Sequence, residues 1–182
     1  MKKIKYKYLI FSICCFIYSF CAKPEKIITV ENFDPQLEPD LIIYNFDYEA
    51  TTKDKKIWSL KADLAKKYDA LKLISFSGVF FKLYGDNDKI STVLTSRYGK
   101  AHYDSKNMTA ISNVKVVFED GTVLTTDELT WNDDSKLLKT DKFVRIIKPS
   151  GEKIEGYGLE MDQKAEIVTI KHRVSGSFKK ES

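Results

Sequence analysis

Two histidines, three cysteines and several paired carboxylates are the residues of this chain with chemistry at hand, and their spacing argues against most of it. His102 and His172 lie far apart on strand-like runs, outside any metal-type cluster, which favours a surface or packing role. "GDNDK" (85–89) has the look of a calcium loop but lacks the closing glycine and the distant glutamate, so a hairpin turn accounts for it better. "EDGT" and "NDDS" place carboxylates side by side in turn-forming stretches, solvated and without a partner base. "NMT" (107–109) matches a glycosylation sequon, a weak signal on its own. No nucleophile elbow or phosphate loop is present. The expectation is a protein without cofactor, metal or catalytic residue.

The cysteines belong to a different story. Cys14, Cys15 and Cys21 all fall in "YLIFSICCFIYSFCA", an uncharged run between Lys7 and Lys23 that follows Lys2, Lys3 and Lys5. A basic start and an apolar run are the marks of a secretory signal. As a helix the run would span roughly 22 Å, short of the roughly 30 Å hydrocarbon layer unless flanking lysines snorkel. It therefore reads as a cleaved signal, a lipoprotein signal ending at Cys21, or a retained anchor. Cys21 is a candidate lipidation position, although Phe20 before it is larger than the usual small residue. Residues 22–182 contain no cysteine, so the exported part is held by its core and not by disulfides.

Removing the four lysines of the first seven residues from the 30 basic ones leaves 26, equal to the 26 acidic residues. Acids and bases alternate along the rest of the chain, and the clustered basic face of a nucleic-acid binder is missing. At 182 residues the length suits one domain and an appendage. The expected organisation is a signal or anchor over 1–22, an extended tether over 23–40 with Pro24, Pro35 and Pro39, a β-domain over 41–178, and a tail over 179–182.

From residue 41 the hydrophobic period becomes two. "YNFDYEA" sets Tyr44, Phe46 and Tyr48 on one face, and "WSLKADLA" does so with Trp58, Leu60, Ala62 and Leu64. A helix competes over 58–74, where Ala, Leu and Lys are good helix formers. The aromatic and β-branched "FSGVFFKLY" that follows favours strand. Bulky residues followed by Asp or Asn recur at Tyr68-Asp69, Tyr103-Asp104, Trp131-Asn132 and Met161-Asp162, every 28–35 residues. Each opens a unit of turn, strand and apolar strand, with the Asx side chain suited to cap the turn. Stacked hairpins with one apolar face must close into a barrel or fold over; the second outcome leaves a first and a last edge unpaired.

The residues expected to face inward are Tyr44, Phe46, Trp58, Leu60, Val114, Val116, Phe118, Leu129, Trp131, Val144, Ile146, Leu159, Met161, Val168 and Ile170, with Tyr157 beside them. They fill a core, or line a trough suited to acyl chains.

The chain resembles the LptC family of periplasmic bridges in lipopolysaccharide export. The resemblance rests on "WSLKADLAKKYDALKLISFSGVFF" (58–81), "LTTDELTWN" (124–132) and "IEGYGLEMD" (154–162), in that order and spacing. It implies an all-β, folded-over antiparallel β-jellyroll, the β-taco, behind an N-terminal membrane-targeting helix. It also implies a bridge at the periplasmic face of the inner membrane, accepting lipopolysaccharide or a related glycolipid from an LptBFG-like ABC transporter. The amino-terminal edge at 41–48 would dock on that transporter, and the carboxy-terminal edge at 165–178 on an LptA-like bridge. Gly78, Gly156 and Gly158 fall where the family places glycines at strand bends. The alternative is a surface or periplasmic lipoprotein whose β-domain binds a protein partner or acts as an adhesin.

Overall fold

A computed structural model of the chain describes residues 38–177, apart from 54, 86–87 and 163–166. The expected signal, Cys21, most of the tether and the tail lie outside those residues. Nine strands follow one another: β1 (Leu41–Thr52), β2 (Lys55–Tyr68), β3 (Leu73–Tyr84), β4 (Ile90–His102), β5 (Met108–Phe118), β6 (Val123–Asn132), β7 (Leu137–Ile147), β8 (Lys153–Asp162) and β9 (Ile167–Ser177). Each pairs antiparallel with the next in a single unclosed sheet, ordered as in the chain. The stretch open to a helical reading is β2 and the start of β3. Its aromatic and β-branched neighbours prevail over the helix propensity of Ala, Leu and Lys.

The recurring bulky-Asx pairs mark the hairpin turns at one end of the sheet, after β2, β4, β6 and β8. Asn132 caps its turn as expected, its Oδ1 accepting from the Ser135 amide and hydroxyl, both at 2.8 Å. Asp69 works across turns instead. Its Oδ1 accepts from the Tyr103 hydroxyl at 2.9 Å, and its amide donates to Asp40 Oδ2 at 2.7 Å. Asp120 holds the opposite end of the sheet, accepting from the Thr122 amide at 2.8 Å while Gly121 takes a φ of +82°.

The long strands are interrupted near their middles. Asn45 in β1, Gly78 in β3, Ser112 and Asn113 in β5, Gly158 in β8 and Arg173 in β9 all have positive φ. The registers of β4 with β5, β5 with β6, and β6 with β7 slip between Thr95 and Tyr98, Ile111 and Val114, and Thr126 and Thr130. The same occurs in β7 between Thr140 and Phe143. Such bulges bend a strand, and a row of them bends the sheet.

The core shows the result. One buried cluster unites Val114, Val116, Leu124, Val144 and Ile146 from one side of the break with Ala110, Leu129 and Leu159 from the other. A second joins Ala62 and Val79 to Ala65 and Phe76. The sheet is folded along the break so that its two halves pack on each other, the folded-over alternative. Six large side chains (Leu124, Leu129, Leu159, Val114, Val116 and Val144) are fully buried, each worth about 1.5–3 kcal/mol.

Gly78 tests the break directly. A Cβ there would lie 2.0 Å from Asp63 Oδ2, at a φ of +67°. Gly78→Ala is expected to cost about 1–3 kcal/mol in urea unfolding. Asp63→Gly in the same chain should recover the steric part and leave the cost of the left-handed backbone.

Candidate functional site: the apolar interior and its open edges

On one side of the break, Tyr48, Leu60, Phe81, Leu94, Val116 and Leu124 sit opposite one another strand by strand. On the other side the matching row is Ile43, Ala65, Phe76, Gly99, Ala110 and Leu129. Between the rows the inward set changes from even to odd numbering in β1, β2, β4, β6 and β8, and from odd to even in β3. One extra residue per strand is enough to exchange faces.

That exchange sorts the inward residues expected from alternation. Val114, Val116, Leu129, Val144, Ile146 and Leu159 are buried. Phe46, Trp58, Leu60, Phe118, Trp131, Met161 and Ile170 are half-buried. Val168 stands at the rim, opposite Met161 and 45% exposed. Tyr44 is 73% exposed, because Asn45 at φ 51° breaks the alternation between it and Phe46. Leu64, opposite Tyr44, leaves the inward set with it. Tyr157 likewise departs from the side of Leu159, separated from it by Gly158 at φ 72°. It meets Phe143 edge-on at 5.3 Å and carries Arg173 over its ring. Alternation did not mark Leu94, Phe76, Val79 or Leu124 as interior, and the apolar stretches "ISFSGVFF" and "TVL" are the local signal for them.

The interior has two characters. Toward β1 it is aromatic: Phe46 lies 5.5 Å from Phe76, Tyr48 5.2 Å from Trp58, and Trp58 5.9 Å from Phe81. Toward β8 it is aliphatic. Gly156 keeps β9 close, since a Cβ there would lie 2.5 Å from Ile170 Cγ2 and 3.0 Å from the His172 carbonyl oxygen. Ile170 covers the core at that end. No buried side-chain polar atom among the described residues lacks a hydrogen-bond partner. The interior offers area and shape, with little directional bonding.

Charge stays on the outside and in the turns. Lys67 pairs with Asp69 at 2.8 Å, and Lys67 and Lys72 both stand over the Tyr103 ring. Lys67 and the Tyr103 hydroxyl hold the Asp69 carboxyl below the usual carboxylate range. Burial pushes the Lys100 ammonium down. An open cleft of about 590 Å³ runs along the break between Asp63, Ser77, Arg97, Tyr98 and Asn113, whose polar and charged groups do not favour acyl chains. Among the described residues no group of His, Cys, Asp and Glu is placed to hold a metal ion. No helix long and apolar enough to cross a membrane is found among the described residues.

Both ends of the sheet are open. β1 pairs only with β2, and β9 only with β8. On β1, Leu41, Ile42, Ile43, Tyr44 and Tyr48 are all exposed, an unusual apolar load for a free edge.

The described residues thus form a folded-over β-sheet with an apolar interior and two unpaired edge strands. The family model for lipopolysaccharide assembly, LptC-related, matches residues 8–179. The chain belongs to that family, and is a periplasmic component of lipopolysaccharide transport. The crystal structure of LptH from Pseudomonas aeruginosa has a similar fold. It is described as the LptA homologous periplasmic component of the conserved lipopolysaccharide transport device. The TM-score is 0.53 at 15% identity, over 68% of this chain and 95% of that one. No curated protein matches the sequence.

Two predictions follow from the geometry. Val116→Asp places an unpaired carboxylate in the dry interior and is expected to cost several kcal/mol in urea unfolding, well beyond Val116→Ala. The second concerns pH. Asp69, Asp120, Asp133 and Glu155 are all held below the usual range, chiefly by Lys67, the Thr122 amide, Lys136 and Lys153 respectively. Their stabilisation is complete above the ordinary carboxylate pKa of about 4 and is lost as pH falls through the depressed values. The urea midpoint should therefore drop on acidification below that range, less steeply in Asp120→Asn.

Proposed function

We propose that this chain carries the acyl chains of lipopolysaccharide, or of a related glycolipid, between the two halves of its folded sheet, without chemistry of its own. The observation that carries the reading is an apolar interior running along the sheet between two unpaired edge strands. Acyl chains need a dry surface of matching width and no directional partners. β-augmentation at a free edge joins sheets through main-chain hydrogen bonds and would extend such an interior into a neighbour.

In this reading the N-terminal segment holds the protein at the periplasmic face of the inner membrane, by a retained span or through lipidated Cys21. The 41–48 edge docks on an LptBFG-like ABC transporter, whose lipid it accepts. The 165–178 edge passes the lipid to an LptA-like bridge. Exposed apolar residues on β1 support the first contact. Lys171 and Arg173 on β9 discourage indiscriminate pairing while leaving a specific one open. Nothing in the family match or the structural likeness favours the alternative of an adhesin or other protein-binding lipoprotein.

A photo-reactive residue at Leu129 should cross-link to lipopolysaccharide in cells, and one at exposed Lys115 should not. Equal labelling at both would remove the interior from the transport path. Ile42→Asp with Tyr44→Asp should abolish co-purification with the transporter. Because both side chains are exposed, the stability change is expected to stay within about 0.5 kcal/mol per substitution. Undiminished co-purification would move the contact away from β1.

A further inference from the structure

The apolar interior is divided. One buried cluster is built on β2 and β3 (Ala62, Ala65, Phe76 and Val79), the other on β5 to β8. Among the described residues Leu94 is the half-buried side chain that packs against both. It comes from β4, the strand between them, and stands opposite Phe81 on one side and Val116 on the other.

The rest of that inward face is low. By register and parity β4 presents Thr92, Ser96, Gly99 and Ala101 beside Leu94. The Ser96 hydroxyl is occupied in a 2.8 Å bond to the Tyr98 carbonyl oxygen. Gly99 has no spare room, since a Cβ there would meet Val79 Cγ2 at 3.0 Å. One isobutyl group on an inward face of otherwise small residues therefore stands between an aromatic compartment and an aliphatic one.

We propose that Leu94 is the threshold between two lipid-holding compartments, and that its bulk sets how readily an acyl chain held on the β1 side extends to the β9 side. This rests on the lipid-carrying reading above. A chain crossing β4 must take up the contacts that Leu94 makes with both clusters. Leucine suits the role: unbranched at Cβ, it can exchange rotamers, and it restores a dry contact when the chain has passed. A phenylalanine would fill the same gap permanently, and an alanine would leave the compartments joined.

The test uses the full-length chain in detergent with lipopolysaccharide as the probe. A photo-reactive benzoylphenylalanine stands at Leu60 for the β1 side, or at Phe118 for the β9 side. With Leu94 in place both positions should label. Leu94→Phe should keep labelling at Leu60 and lower it at Phe118 at least about fivefold, the factor that roughly 1 kcal/mol gives. Leu94→Ala should raise the ratio of Phe118 to Leu60 labelling, and it decides the matter if Leu94→Phe melts at the assay temperature. A ratio unchanged in Leu94→Ala, or in a folded Leu94→Phe, overturns the threshold while the lipid-carrying reading stands. Absence of labelling at both positions with Leu94 intact sinks the lipid-carrying reading itself, and the threshold with it.

Discussion

A single antiparallel sheet has one apolar face and, in this chain, no helical layer among the described residues to cover it. The face must be buried against itself, and the row of mid-strand bulges makes that geometrically available. Asn45, Gly78, Ser112, Asn113, Gly158 and Arg173 accept left-handed backbone so that the strands can turn at a shared line. For Gly and Asn that conformation is mild; for Ser112 and Arg173 it is strained. The clusters that unite Val116 with Leu129, and Val79 with Phe76, offset that strain.

Folding along a line differs from closing into a cylinder in what it leaves unpaired. A barrel would join β1 to β9 and consume both edges. Here both remain, and the interior runs toward them. The same bend thus supplies a dry surface and leaves two edge strands with unpaired backbone groups. The ion pairs, such as Lys61 with Asp47 and Lys56 with Glu49, sit on the outside, where each is worth little. They keep the apolar face from competing with the other one for burial.

Much of this was legible in the chain. Period-two alternation, the recurring bulky-Asx pairs and the absence of cysteines after residue 22 identified an all-β stack of hairpins held by its core. The order of "WSLKADLAKKYDALKLISFSGVFF", "LTTDELTWN" and "IEGYGLEMD" pointed to the family. The interior was partly legible. Val114, Val116, Leu129, Val144 and Leu159 were readable because each lies on one side of a bulge with an intact alternating stretch around it. Tyr44, Leu64 and Tyr157 were not, because alternation does not carry across Asn45, the gap in the β2–β3 ladder between Lys61 and Leu64, or Gly158.

The amino-acid sequence by itself determined the strands, their turns and the class of the fold, since alternation and turn preference are properties of neighbouring residues. The tertiary structure decided which face each half-strand presents and where Leu94 stands. A one-residue bulge moves every later side chain of its strand to the other face, and whether that move is favourable depends on residues far along the chain that bury against it.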